Sequence, residues 1–149
     1  MKHAKITPRL VVSDASAAID FYTEVFDAEE LERYAMPDGA IVHAAIRIDG
    51  AIVALAEDDP PHHNTGPAIL GGSSVILTLL CDSPDAVADK AVRKGATIIF
   101  PVDDQFYGHR EGRIRDPFGH QWILSKVVRQ MSPEEIEAAM ASLAGGGSS

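Results

Sequence analysis

The stretch RLVVSDASAAIDFYTEVF, residues 9–26, contains the signals of a strand, a helix cap and an amphipathic helix in succession. Alternation over residues 6–12 predicts the strand, and Ser13-Asp14 supplies the N-cap. The helix is predicted from apolar residues at helical spacing, which are Ala18, Phe21, Tyr22, Val25 and Phe26. Turn signals at Asp38-Gly39 and Asp49-Gly50 separate further predicted strands at 30–34, 41–48 and 52–56. Together these signals predict a βαβββ unit over about residues 5–57.

The same order of elements returns after a linker rich in proline and glycine at residues 58–72. A strand at 74–81 precedes a helix that Asp82-Ser83 caps and Gly95 ends, and strands are predicted at 97–100, 113–115 and 121–127. Val12 and Cys81 are 69 residues apart, and so are Gly50 and Gly119. Because the elements recur in one order, we predict a second unit over about 73–128, within a single domain of residues 1–128.

A separate helix is predicted after the two units. Ser132-Pro133-Glu134-Glu135 forms a capping box with proline at the first helical position. The predicted helix spans residues 132–144, and its apolar stripe consists of Ile136, Ala139, Met140 and Leu143. We expect this stripe to pack on the domain or on a second subunit, and residues 145–149 to form a flexible tail.

Composition restricts the partners and the compartment. The chain has 13 Lys and Arg against 22 Asp and Glu, a formal charge of -9, and no basic run, so nucleic acid is not an expected partner. No apolar run approaches the roughly 20 residues of a membrane span, and the first residues do not resemble a secretory signal. The single cysteine, Cys81, cannot form an internal disulfide. We therefore expect a cytoplasmic protein without a membrane partner.

The segment DQFYGHREGRIRDPFGHQW, residues 104–122, carries a family resemblance together with residues 9–26 and the repeated units. Over about residues 6–128 the chain resembles the glyoxalase, bleomycin-resistance and extradiol-dioxygenase superfamily, also called vicinal oxygen chelate. It is most similar to the PhnB-like branch, in which an aromatic-Gly-Asp-Arg stretch precedes Asp-Pro-Phe-Gly-His. His109 departs from that pattern, because the branch usually has an aspartate there. The resemblance implies an α+β fold in which two curved mixed sheets form a cup, and homodimers are common among relatives.

Metal-dependent relatives bind one divalent ion through His, Gln or Glu side chains on the first and last strands of each unit. Carried over, this pattern falls on Thr7, Ala54, Ile76 and Ile123. Alanine and isoleucine have no donor atoms, and threonine is a poor sole ligand for a transition metal. We therefore expect neither a metal nor another cofactor at the inherited position.

Strand alternation then assigns side chains to the cup. If the four inherited positions face it, then so do Arg9, Ile52, Thr78, Gln121 and the strand residues His43 and Arg47, whereas Trp122 faces the core. Phe106 and Tyr107 lie in a loop at 104–110 that is expected to cover the mouth. The predicted ligand-binding residues are Arg9, His43, Arg47, Ile52, Ile76, Thr78, Phe106, Tyr107, Gln121 and Ile123.

Arginines on these strands have two interpretations. Arg9, Arg47, Arg113 and Arg115 either gather near the cup, where arginine would recognise a carboxylate or planar oxyanion, or face solvent and pair with surface acids. The four residues cannot be assigned to one role from alternation alone.

Three functional hypotheses follow. The favoured one is a metal-independent small-molecule-binding protein that sequesters an aromatic natural product or toxic metabolite. The second is an enzyme of the lyase, isomerase or dioxygenase type acting on a small oxygenated substrate, with His43 and His109 as the candidate general bases. The third is an interaction or regulatory domain with an empty cup. We also expect a two-fold homodimer, the commonest closed assembly.

Overall fold

Residues 5–146 are described by a computed structural model, in which they form two four-stranded sheets and the helices packed on them. The first unit comprises β1 (Arg9–Val12), α1 (Ala15–Phe26), β2 (Glu29–Ala35), β3 (Ile41–Ile48) and β4 (Ala51–Glu57). The linker contains a 3-10 turn (Pro60–His62) and α2 (Pro67–Leu70). The second unit comprises β5 (Ile76–Leu80), α3 (Pro84–Arg93), β6 (Thr97–Asp104), β7 (His109–Arg115) and β8 (Gln121–Val127), and α4 (Pro133–Gly146) follows it.

The two sheets share one topology. Their strand orders are β1-β4-β3-β2 and β5-β8-β7-β6. In each sheet the first and last strands of the unit pair in parallel, and the other pairs are antiparallel. The predicted βαβββ units and the α+β fold class are confirmed.

The apolar core extends across both units. Helix α1 begins at its N-cap Asp14, whose carboxylate accepts a hydrogen bond from the amide of Ala17 at 3.0 Å. Its aromatic side chains reach the second unit, where Phe26 packs against Trp122 with ring centroids 4.7 Å apart. Trp122 is 3% exposed, which confirms its predicted place in the core. Cys81 lies at the edge of this core, and burial raises the pKa of its thiol.

A buried carboxylate explains the DPFGH phrase. Asp116 is 3% exposed, and its Oδ1 accepts hydrogen bonds from the amides of Phe118 and His120. Its Oδ2 accepts hydrogen bonds from the Trp122 indole at 2.9 Å and from the Tyr22 hydroxyl of α1. Burial and the neighbouring Asp116 carboxylate raise the pKa of Tyr22 well above its usual value. The phrase therefore joins the second unit to the first helix.

The linker at residues 58–72 is ordered. Asp58 accepts a hydrogen bond from the Gly66 amide at 2.6 Å. A Cβ at Gly66 would lie 2.8 Å from the carbonyl oxygen of Val11, so the backbone passes too closely for another residue. His120 also contacts the Val11 carbonyl oxygen, through Nε2 at 2.8 Å. The linker and the DPFGH phrase thus meet at β1.

Several boundaries differ from the sequence prediction. β6 continues to Asp104 and β7 begins at His109, although strands were predicted only at 97–100 and 113–115. Charged residues occupy these extensions, and they pair across the strands, with Asp103 opposite Glu111 and Asp104 opposite Arg110. The predicted loop at 104–110 is consequently a tight turn, and Gly108 adopts φ 88° within it.

The C-terminal segment also differs. α4 ends at Gly146, so the predicted tail at 145–149 was wrong for residues 145 and 146, which are helical, while residues 147–149 lie outside the described residues. Met140 and Leu143 are 54% and 58% exposed, so the domain does not bury the predicted apolar stripe. Burial on a second subunit stays a prediction. No helix within residues 5–146 is long and apolar enough to cross a membrane.

Candidate functional site

The face of each sheet opposite its helix, called here the outer face, carries several of the predicted ligand-binding residues, among them Arg9, His43 and Arg47. Leu10, Ile46 and Leu55 are buried beneath the helices, whereas Arg9 and Arg47 are exposed on the other side. This alternation agrees with the predicted assignment of faces. Two groups of side chains that could contact a ligand lie on the outer faces, one on each sheet.

The first group, called the histidine patch, consists of Arg9, Glu32, Tyr34 and His43. The pairing of β2 with β3 places Tyr34 opposite His43, and their rings stack with centroids 5.7 Å apart. Nε2 of His43 lies 2.9 Å from Glu32 Oε1, and the Tyr34 hydroxyl donates to Glu32 Oε2 at 3.0 Å. These two hydrogen bonds lower the pKa of Glu32 and keep it ionised.

The neighbours of His43 determine which ring nitrogen carries the proton. A carboxylate can only accept, so Nε2 of His43 donates to Glu32. A guanidinium can only donate, so Nδ1 accepts from Nη1 of Arg9, which lies 3.4 Å away. Neutral His43 therefore presents its free lone pair to Arg9. The small side chains of Ala45 and Ala54 lie beside this patch in the sheet, where Arg9 pairs with Ala54.

The second group, called the arginine pocket, consists of Phe100, Tyr107, Glu111, Arg113 and Ile123. These residues line a cavity of about 350 Å³ on the outer face of the second sheet. The guanidinium of Arg113 lies over the Phe100 ring at 5.3 Å, and its Nη1 donates to Gln121 at 3.4 Å. Its Nε is buried and has no hydrogen-bond partner within the described part of the chain.

Tyr107 forms a wall of the arginine pocket. Its hydroxyl donates to Glu111, and Phe106 packs edge-on against its ring at 5.0 Å. Burial and the Glu111 carboxylate raise the pKa of Tyr107 to about 12, so the phenol remains a neutral donor. Covering of the mouth by Phe106 and Tyr107 stays a prediction, because both belong to the tight turn in this structure.

His109, the second candidate base, is held by its neighbours. Its Nδ1 lies 3.0 Å from Ser125 Oγ and 3.6 Å from Glu111 Oε2. Ser125 is 1% exposed, so its hydroxyl is closed to a substrate. In a relay that activates a serine, one ring nitrogen of the histidine contacts the serine and the other contacts the carboxylate. In His109 both contacts are made by Nδ1, so the three residues do not form such a relay.

The four outward arginines do not gather. Arg9 lies beside His43, whereas Arg47 pairs with Glu29 at 3.1 Å. Arg113 belongs to the arginine pocket, and Arg115 lines a different cavity beside the DPFGH turn. The gathered arrangement considered for these residues is therefore wrong. Arg9, Arg47 and Arg113 are each held by a partner on their own sheet.

The remaining predicted residues are distributed around the two units. Ile52 and Thr78 line a cavity of about 470 Å³ between the units, together with Thr7 and Trp122. Arg9 and Gln121 line a smaller cavity of about 260 Å³. Ile76 is 40% exposed on the outer face of the second sheet.

The inherited metal positions do not fit a divalent ion. Thr7, Ala54, Ile76 and Ile123 offer one hydroxyl oxygen among them. Glu57 follows Ala54 on the same strand, but its carboxylate accepts from the amides of Ala15 and Ile41. Within residues 5–146, no three His, Cys, Asp or Glu side chains lie close enough together to hold a metal ion.

Sequence reasoning missed Glu32, Tyr34, Phe100 and Glu111. Glu32 and Tyr34 alternate in ELERYA, and that alternation is a signal that could have placed both on one face. Phe100 was assigned to a strand, but its position over Arg113 follows from irregular pairing on both sides of it. Pro101, which has no backbone N–H to donate, is the signal that could have marked this irregularity.

Two mixed βαβββ sheets define the class of protein, and a family comparison agrees. The family model described as the Glyoxalase/Bleomycin resistance protein/Dioxygenase superfamily matches residues 2–124. The chain belongs to this superfamily, as its residues suggested.

Individual relatives support the same assignment. An uncharacterized protein from Mycobacterium tuberculosis is 44% identical over 140 residues, which are 92% of this chain and 82% of that protein. The PhnB protein from Bacillus cereus has a TM-score of 0.67 and 23% identity, covering 83% of this chain and 99% of that chain. FosX from Listeria monocytogenes, a fosfomycin resistance protein solved with Mn(II) and sulfate, has a TM-score of 0.65 and 16% identity, covering 91% and 98%. These two solved structures share the fold of this chain.

Proposed function

We propose that the protein binds a small planar organic anion on the outer faces of its sheets, without a metal ion, and so sequesters an aromatic natural product or metabolite. The arginine pocket anchors the ligand. A carboxylate or another planar oxyanion matches the guanidinium fork.

The unpartnered Nε of Arg113 is the observation that carries this proposal. A buried donor without an acceptor costs about 1–3 kcal/mol, and each such group in a folded protein requires an explanation. A ligand oxygen that displaces the groups covering Nε would accept from Nε and from the adjacent Nη. An acceptor from outside the chain would satisfy this donor, and the proposed ligand supplies one.

The shape of the pocket favours an aromatic ligand. Phe100 is 58% exposed although it is a large apolar side chain, and it forms one wall beside Tyr107 and Ile123. A planar ligand contacting these side chains would bury apolar area at about 25 cal/mol per Å² before the costs of association. Glu111 and Asp103 also line the pocket, and Glu111 accepts a hydrogen bond from the Tyr107 hydroxyl.

Calorimetric titration with 2-naphthoate, a planar aromatic carboxylate, tests the proposal. We expect saturable binding in buffer containing EDTA, and we expect Arg113→Ala to weaken it by about 1.5–3 kcal/mol, roughly 10- to 150-fold in Kd. Arg93→Ala is the matched control, because Arg93 lies exposed on α3 away from the pocket. Equal weakening by both substitutions, or binding that EDTA abolishes, would overturn the proposal.

A further inference from the structure

The histidine patch has a property that the arginine pocket lacks, because it contains a basic nitrogen. His43 is 26% exposed, and Glu32 holds its Nε2–H at 2.9 Å, so the lone pair lies on Nδ1. Arg9 approaches this lone pair at 3.4 Å, beyond the roughly 2.7–3.2 Å range usual for hydrogen bonds from N–H donors. Replacing this long contact between Arg9 and His43 with a contact to a ligand oxygen therefore costs little free energy.

The charged groups on the two sides of the His43 ring have opposite effects on its protonated form. A proton on Nδ1 makes the imidazole positive, and Glu32 stabilises that charge through its hydrogen bond. Arg9 opposes it, because the guanidinium is positive and lies on the Nδ1 side. An oxyanion that accepts from both Nδ1–H and Arg9 offsets this repulsion. Protonation of His43 and binding of an oxyanion therefore favour each other.

The other groups around His43 leave this coupling intact. From β1 the facing group is Arg9, and from β2 the facing groups are Glu32 and Tyr34. On its own strand the next charged residue of the same face is Arg47, which pairs with Glu29. The Tyr34 hydroxyl donates to Glu32 at 3.0 Å and so fixes the carboxylate on the Nε2 side.

We infer that the histidine patch binds an acidic hydroxyl compound, a phenol or an enol, as its oxyanion, with the released proton held on Nδ1 of His43. The O–H bond of the ligand breaks, an N–H bond forms at Nδ1, and the electron pair remains on the ligand oxygen. Release of the ligand reverses both changes, so no other reactant is needed. This inference goes beyond the proposed function, because it assigns a second class of ligand to a separate patch on the first sheet.

4-Nitrophenol is the probe for this site, because its anion absorbs visible light and its neutral form does not. The titration is made about one pH unit below the pKa of the free phenol, where most of it is neutral. We expect the visible band of the anion to grow on addition of the wild-type protein and to saturate at one anion per chain.

Three variants separate the role of His43 as proton acceptor from the role of Glu32 in stabilising the accepted proton. His43→Gln removes the proton acceptor and should reduce the bound anion about tenfold or more, equivalent to one pKa unit or more. Glu32→Gln should reduce it less, because the acceptor remains but the charge that stabilises it is gone. His62→Gln is the matched control, since His62 also pairs with a carboxylate, Asp59 at 2.7 Å, but on an exposed turn. It should leave the band unchanged.

The outcomes distinguish this inference from the proposed function. If 2-naphthoate binds as expected while 4-nitrophenol gives no visible band at saturation, the inference is overturned and the proposed function stands. A band of equal strength in the wild type and His43→Gln would also overturn the inference. If neither compound binds, both fail. A band that depends on His43 supports the inference even where Arg113→Ala weakens the affinity.

Discussion

Asp116 shows how one residue can join two halves of a fold. Its carboxylate is buried, and it receives two side-chain donors and two backbone amides. A buried carboxylate is tolerated only when its lone pairs are used in this way. The DPFGH phrase therefore reports a structural connection, whereas the binding chemistry lies on the outer faces.

Removal of the Tyr22 hydroxyl tests this connection. Tyr22→Phe should lower the free energy of unfolding by about 1–3 kcal/mol, because Asp116 stays buried and loses one donor. Tyr34→Phe is the matched control, since Tyr34 is 56% exposed and its hydrogen bond lies at the surface. Urea denaturation of both variants measures the difference. Equal stability of the two would contradict the role given to Tyr22.

The raised pKa of Tyr107 predicts a dependence of stability on pH. The folded protein holds this phenolic proton up to about pH 12, above the ordinary value of 10.0. Stabilisation from this group is therefore complete below pH 10 and is lost as the pH rises from about 10 to 12. In denaturation followed over that range, Tyr107→Phe should lose stability less steeply than the wild type. Identical slopes would contradict the Tyr107–Glu111 interaction.

At the scale of elements, the linker is held against the turn between β7 and β8. Gly119 has φ 95°, and a Cβ there would lie 2.6 Å from the Cβ of Pro67 in α2. Gly39, in the turn between β2 and β3, has φ 92°, but a Cβ there would meet nothing within 4 Å. The two glycines share a backbone conformation and differ only in their surroundings.

This pair of glycines allows a controlled prediction. Gly39→Ala should cost about 1–2 kcal/mol, the penalty of a left-handed conformation for a residue with a side chain. Gly119→Ala should cost about 1–3 kcal/mol more, because α2 must move to make room. Thermal unfolding of both variants measures the difference. Equal costs would show that the linker is not packed against this turn.

The sequence predicted some elements well for a physical reason. Periodic apolar residues in α1, β3 and β8 face a core, and burial requires that pattern. The ends of β6 and β7 were missed because charged residues interrupt the apolar alternation there, and only one of the two facing pairs, Asp104 with Arg110, joins opposite charges. The arginine pocket was missed because irregular pairing around Phe100 brings its ring to Arg113, and alternation counts assume regular strands. Whether the four inherited metal positions carry donor atoms could be read from the sequence, because it depends only on the identity of their side chains.

At the scale of the whole molecule, large apolar side chains remain uncovered on the second sheet and on α4. Leu80 and Ile76 are 66% and 40% exposed, and Leu143 on α4 is 58% exposed. Exposed apolar groups in such numbers are typical of a surface that contacts another molecule. We propose that this molecule is a second copy of the chain.

Light scattering at micromolar concentration should therefore give about twice the chain mass of 15.9 kDa. Leu143→Glu should shift the protein towards a single chain, because it places a charge in the apolar stripe of α4. Ala141→Glu is the control, since Ala141 lies on α4 outside that stripe. A wild-type mass of 15.9 kDa would contradict the proposed dimer.

Nuclear magnetic resonance of the metal-free protein with 2-naphthoate tests the central claim most directly. The claim predicts saturable shifts that concentrate on β6, β7 and β8, with a large shift of the Arg113 Nε–H resonance as the carboxylate accepts its hydrogen bond. No saturable shift, shifts elsewhere with Arg113 unchanged, or binding that requires added Mn²⁺ would contradict it.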